Sequence, residues 1–127
     1  MAKKIKDIKT ILENFDFYES FVTKIKWSKD LFDLIITVNY FWDSPSGCKD
    51  KDINIILKDC DFAKFDVTKS VIKQKTAENR MAISYCAYCI ESFEITGEQS
   101  NLEVNVYTTT ENHTWLTAKC KNVLVEY

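Results

Sequence analysis

The chain has 127 residues, of which 46% are hydrophobic, 28% charged and 13% aromatic. That is the balance of a single globular domain over 1–127, and it excludes a disordered or membrane-spanning polypeptide. A formal net charge of −2 offers no general attraction for nucleic acid or an anionic membrane, so neither is an expected partner. Five cysteines behind an N-terminus with no apolar export segment predict a reducing compartment, a cytoplasmic location and free thiols.

In chain order, Ile5, Ile8, Ile11, Leu12 and Phe15 recur at helical spacing, with Lys6, Asp7, Lys9 and Glu13 on the other face. The spacing predicts a short amphipathic helix over 3–14, ended by Asn14 and docked on a sheet through Ile8, Ile11 and Leu12. The period then drops to two. Phe21, Thr23, Ile25 and Trp27 alternate with Val22, Lys24, Lys26 and Ser28, which reads as a half-buried strand followed by a turn at 28–30. Over 31–42 one face is unbroken: Phe32, Leu34, Ile36, Val38, Tyr40 and Trp42. The 43–50 stretch holds the only proline and one of the two glycines and reads as a loop.

Ile53, Ile55 and Leu57 then point inward from a strand over 52–58, and Phe62 and Phe65 continue as a short strand or an irregular edge. The polar 67–79 segment reads as a crossing loop or one helical turn, and 81–96 as one bent strand or two short ones. A hairpin loop at 97–101 leads to a strand with Leu102, Val104 and Val106 inward. After a loop at 110–113, Leu116, Ala118 and Cys120 share one phase, and Val123, Val125 and Tyr127 share the other. A β-bulge inside one strand accounts for such a change. The expected fold is mainly β (α+β): an antiparallel β-sandwich or curled meander of about seven to eight strands with a short N-terminal helix.

Motifs of chemistry are few. Cys86 and Cys89 form a C-x-x-C, but zinc needs four ligands, there is no second pair, and His113 is the only histidine. A redox C-x-x-C opens a helix, whereas the residues around this one read as strand. No metal and no disulfide between the two is expected. His113 falls in a Thr/Asn/Glu loop without a nucleophile elbow beside it. The aspartates at 43, 50, 52, 59 and 61 lack calcium-loop spacing. With two glycines there is no phosphate-cradling loop. The expectation is no catalytic residue, no metal and no cofactor.

The sharpest bias is electrostatic. Between Met81 and Ala118 there are five glutamates (91, 94, 98, 103 and 111) and no lysine or arginine. Pairing 90–96 with 102–108 across Gly97 sets Glu94 and Glu103 on the outer face with Asn105 and Tyr107, and Glu98 at the tip. Glu94, Glu98, Glu103 and Tyr107 are the candidate binding residues, suited to a basic protein partner. The same pattern also suits a solvated sheet face. Glu91 is in phase with Phe93 and stays outside the set.

Phe32-Asp33 opening an apolar strand, the block Ile55-Ile56-Leu57-Lys58-Asp59-Cys60-Asp61-Phe62-Ala63-Lys64-Phe65-Asp66, and the ending Leu116-Thr117-Ala118-Lys119-Cys120-Lys121-Asn122-Val123-Leu124-Val125 are laid out in an order that resembles small β-rich bacterial immunity proteins of polymorphic toxin systems. Phe32 stands where that family would carry a histidine. The resemblance implies a protein that neutralises a toxin domain by binding it, with no catalytic residue. The second reading is a small-molecule-binding or enzymatic β-fold whose pocket is lined by Trp27, Tyr40, Trp42, Tyr85 or Trp115.

Overall fold

In the computed structural model the residues described are 4–5, 7–41, 51–66, 88–98, 100–108 and 113–127. They form one short helix and nine strands: β1 (Lys4–Ile5), α1 (Ile8–Asn14), β2 (Phe21–Trp27), β3 (Leu34–Asn39), β4 (Asp52–Lys58), β5 (Phe62–Phe65), β6 (Ile90–Glu98), β7 (Asn101–Thr108), β8 (His113–Cys120) and β9 (Asn122–Glu126). Every strand pairing is antiparallel, in a five-stranded sheet ordered β1-β9-β4-β3-β2 and a four-stranded sheet ordered β5-β8-β7-β6. The fold is therefore the β-rich α+β class expected, with more strands than counted from the pattern. The expectations for the 43–50 loop, the 67–79 segment and residues 81–87 lie outside the described residues.

Strict alternation is what closes the core. Leu34, Ile36 and Val38 on β3, Ile53, Ile55 and Leu57 on β4, and Val123 and Val125 on β9 face Leu102, Val104 and Val106 on β7 and Leu116, Ala118 and Cys120 on β8 in one buried cluster. Each fully buried aliphatic side chain contributes about 1.5–3 kcal/mol relative to exposure.

Register shifts in three strand pairs, β2–β3, β6–β7 and β7–β8, reset this alternation. The β2–β3 register shifts between Val22 and Lys24, so Val22 opposes Val38 while Ile25 and Trp27 oppose Ile36 and Leu34. Val22 and the two later apolar residues then share the inner face, which a simple period of two does not allow. Ile25 and Trp27 stay 38% and 40% exposed because β2 is the sheet edge.

The helix starts later than its periodicity implies. Asp7 caps it, accepting from the Thr10 amide at 3.2 Å and the Thr10 hydroxyl at 2.7 Å, and Lys4 and Ile5 pair with β9 instead. These bonds hold the Asp7 carboxyl below its usual range, the Thr10 hydroxyl contributing most. At the other end Phe15 turns extended (φ −126°), so the helix ends without a left-handed Asn14. Its buried stripe is Ile8, Ile11 and Phe15; Leu12, expected to dock, is 49% exposed. With only seven residues the helix can bury one narrow row, and Leu12 lies a quarter turn off it.

The change of phase near Cys120 is larger than a bulge within one strand. β8 and β9 belong to different sheets, and Lys121 is the single residue between them. Beside it, β4 passes into β5 through 59–61, so the β4–β9 pair of one sheet becomes the β5–β8 pair of the other. A two-stranded ribbon thus bends from layer to layer. Asp33 holds the bend: its carboxylate accepts from Lys58 Nζ at 2.7 Å and from the Asp59 amide at 3.0 Å, while the Phe32 carbonyl accepts from the Cys60 amide at 2.7 Å. Asp59 sits in the left-handed region at φ 49°, a conformation that aspartate tolerates.

The Asp33 bond raises the Lys58 ammonium above 10.5, so the bridge is whole at neutral pH and is lost as pH rises through that raised value. Asp33→Ala should cost about 1–2 kcal/mol in denaturant unfolding, chiefly through the Asp59 amide, because the Lys58 side chain is 42% exposed and screened. Lys58→Met should cost less than about 1 kcal/mol; equal costs would place the weight on the ion pair. For the helix, Ile11→Ala should cost about 2–5 kcal/mol and Leu12→Ala under about 0.5 kcal/mol. Comparable losses at both positions would contradict the docking stripe.

Candidate functional site

Sheet register decides which polar side chains share a face. On the second sheet Leu102, Val104, Val106 and Thr108 are buried, so Glu103, Asn105 and Tyr107 between them lie on the outer face. β6 adds Ser92, Glu94 and Thr96 opposite Tyr107, Asn105 and Glu103. The structure therefore brings Glu94, Glu103 and Tyr107 onto one face and puts Glu98, exposed, at the hairpin tip opposite Asn101. The hairpin itself is tighter than the expected 97–101 loop, because β6 runs through Gly97 to Glu98. Gly97 has φ 97°, and a Cβ there would run into the Asn101 carbonyl, so the strand can turn there only with glycine.

Two members of the site were not visible in the pattern. The β6–β7 register shifts between Ile90 and Ser92, which makes Glu91 the extra residue of a bulge. Tyr18 arrives from the segment joining α1 to β2. The Glu19 amide donates to the Ile90 carbonyl at 2.7 Å, and the Ile90 amide to the Ser20 carbonyl at 2.9 Å, which ties that segment to the start of β6. Tyr18, Glu91, Ser92, Glu94 and Tyr107 together line a shallow depression of about 420 Å³. Tyr18 is 42% exposed and Tyr107 half-buried, so the aromatic rings flank carboxylates at the rim.

The Tyr107 hydroxyl is raised above its ordinary value of 10.0, first by loss of water around the ring and then by the Glu94 charge and hydrogen bond. It therefore stays protonated through the neutral range, with the Glu94 carboxylate as the nearest charge acting on it. The face is not lysine-free, however. Lys119 opposes Glu103 across β7–β8, with its ammonium 5.9 Å from the Phe62 ring centroid on β5. The single-sign stretch of sequence stops one residue short of Lys119, and pairing brings that residue back. Lys64, opposite Thr117, extends the basic side. The outer face thus runs from acidic at the β6 edge to basic at β5.

Among the described residues the aromatics expected to line a pocket do not converge. Tyr40 and Trp115 are each 1% exposed in the core, and Trp27 lies at the β2 edge. Tyr40 packs against Phe15 and Phe17 and its hydroxyl accepts from the Asp16 amide at 2.8 Å; Trp115 packs against Phe65 and Tyr88. Trp42 and Tyr85 lie outside the described residues, as does Cys86. Cys89 is buried and its backbone bridges to Phe21. His113 opens β8 opposite Thr108 instead of lying in the loop. Among the described residues no cluster of three or more His, Cys, Asp or Glu is arranged to hold a metal ion, and no helix is long and apolar enough to cross a membrane.

No protein-family model and no curated protein matches the chain. Among solved structures it is similar to an uncharacterized protein from Neisseria gonorrhoeae, with a TM-score of 0.57 and 12% identity, covering 98% of this chain and 96% of that one. A likeness at that identity is one of fold.

The coupling of Tyr107 to Glu94 has a direct readout. In Glu94→Gln the Tyr107 hydroxyl should titrate closer to 10.0, followed by its ring carbon shift or its absorbance at high pH. An unchanged titration would mean that the two side chains do not interact.

Proposed function

We propose that the protein is a small binding module that docks a basic protein partner on the acidic end of its second sheet. The observation that carries this reading is the Tyr18–Glu91–Ser92–Glu94–Tyr107 depression, where carboxylates and tyrosine rings meet on a preformed surface. Such a surface suits an arginine or lysine side chain, which pairs with carboxylate and lies against an aromatic face. The register through β6 and β7 makes the site rigid, so little ordering cost attaches to binding.

The layout that resembles bacterial immunity proteins supports a particular partner: a toxin domain, for instance a nuclease whose substrate cleft is basic, neutralised when this acidic face covers the cleft. On this reading the protein works in the cytoplasm, where a toxin would act, without a cofactor or chemistry of its own. The burial of Tyr40 and Trp115 supports it over a small-molecule pocket.

Association kinetics test the reading. A basic toxin encoded beside this chain should associate with the wild type at a rate that falls steeply with salt. Glu94→Lys should slow association about tenfold or more at low salt, and Glu103→Lys less, because Lys119 already offsets Glu103. Rates unaffected by either reversal would leave this face without a role in binding.

A further inference from the structure

Two core cysteines meet at the bend between the sheets. The β4–β9 ladder ends with Lys58 opposite Asn122; carried two residues further, that count sets Cys60 opposite Cys120, and the β5–β8 ladder resumes one residue out of it, at Phe62 opposite Lys119. The Asp61 amide donates to the Lys119 carbonyl at 3.1 Å and the Lys121 amide to the Lys58 carbonyl at 2.9 Å. Bonds on either side of an opposed pair that makes none between its own two backbones mark a non-hydrogen-bonded antiparallel site, with Asp61 as the extra residue, since Asp61 and Phe62 both face Lys119. Opposite Cα atoms at such sites lie about 4.5 Å apart, within the range of disulfides. Both thiols are free and both point into the same core cluster.

We propose that Cys60 and Cys120 form a thiol pair that a small-molecule disulfide converts into a protein disulfide, locking the ribbon where it passes between the sheets. Cys60, 7% exposed against 3% for Cys120, meets the oxidant first. Its thiolate attacks one sulfur of the small disulfide and releases the first small thiol. The Cys120 thiolate then attacks the Cys60 sulfur of the mixed disulfide and releases the second. Two protein thiols are oxidised, one small disulfide is reduced to two thiols, and the two protons pass to those leaving groups. Burial, with Cys60 adding to it, pushes the Cys120 thiol up to about 12, so closure is slow at neutral pH and quickens as pH rises. The ring closed by this bond contains all of β5, β6, β7 and β8.

The test uses reduced wild-type protein incubated with oxidised glutathione at mildly alkaline pH and then mapped without reduction. The expected map contains a Cys60–Cys120 cross-linked peptide. The melting temperature should rise on the order of 10 °C, and dithiothreitol should reverse both changes. A lasting glutathione adduct on Cys60, disulfides that join only other cysteines, or unreacted Cys60 and Cys120 would each overturn the proposal. So would a cross-link that lowers the melting temperature.

Discussion

The bent ribbon is the constraint on which the other elements rely. An antiparallel sandwich needs its two sheets in a fixed relation, and most connections between layers are loops that leave some slack. Here two neighbouring strands pass from one sheet to the other side by side, β4 into β5 and β9 back into β8, with one residue between the second pair. Register chosen in the first sheet is therefore transmitted to the second. The Asp33 carboxylate and Phe32 carbonyl, both at the entrance to β3, satisfy the amides that the bend takes out of the ladder, Asp59 and Cys60. Leaving such amides unpaired in a partly buried corner would cost about 1–3 kcal/mol each.

From that corner the position of the candidate site follows. β7 takes its register from β8 and β6 from β7, so the outer face is set strand by strand away from the bend. At the far edge the Glu19 and Ile90 amides close the sandwich a second time and deliver Tyr18 to the glutamates of β6. The electrostatic consequence is a gradient across one sheet face, with Lys64 and Lys119 at one end and Glu91, Glu94 and Glu98 at the other. A basic partner on such a face would be oriented as well as attracted, since its charge is repelled from the β5 side.

Sequence pattern reveals some of this well. Alternation in β3, β4 and β7 is uninterrupted, and the nine expected inward residues that lie within those strands are buried, whereas Phe32, expected on the same face, precedes β3 and is 62% exposed. The outer placement of Glu94, Glu103 and Tyr107 follows from the same periodicity. Patterns fail where a contact is made between segments far apart in the chain. Glu91 has the wrong parity for the outer face, and a bulge corrects that parity. Tyr18 carries no local signal, as its place depends on hydrogen bonds to residue 90. Lys119 counts as distant from Glu103 along the chain and is opposite it in the sheet. At Leu12 the periodicity implies a longer stripe than a helix of seven residues can bury. The phase change at residue 121 was visible, but a bulge and a change of sheet look alike in a single strand.

Native-state hydrogen exchange of the corner amides tests the central claim that the ribbon holds both sheets as one unit. The amides of Asp59, Cys60, Asp61 and Lys121 should exchange only through global unfolding, with the same free energy and denaturant dependence as Ile55 of the first sheet and Val104 of the second. Exchange of those four amides through local opening, while Ile55 and Val104 stay protected, would contradict it.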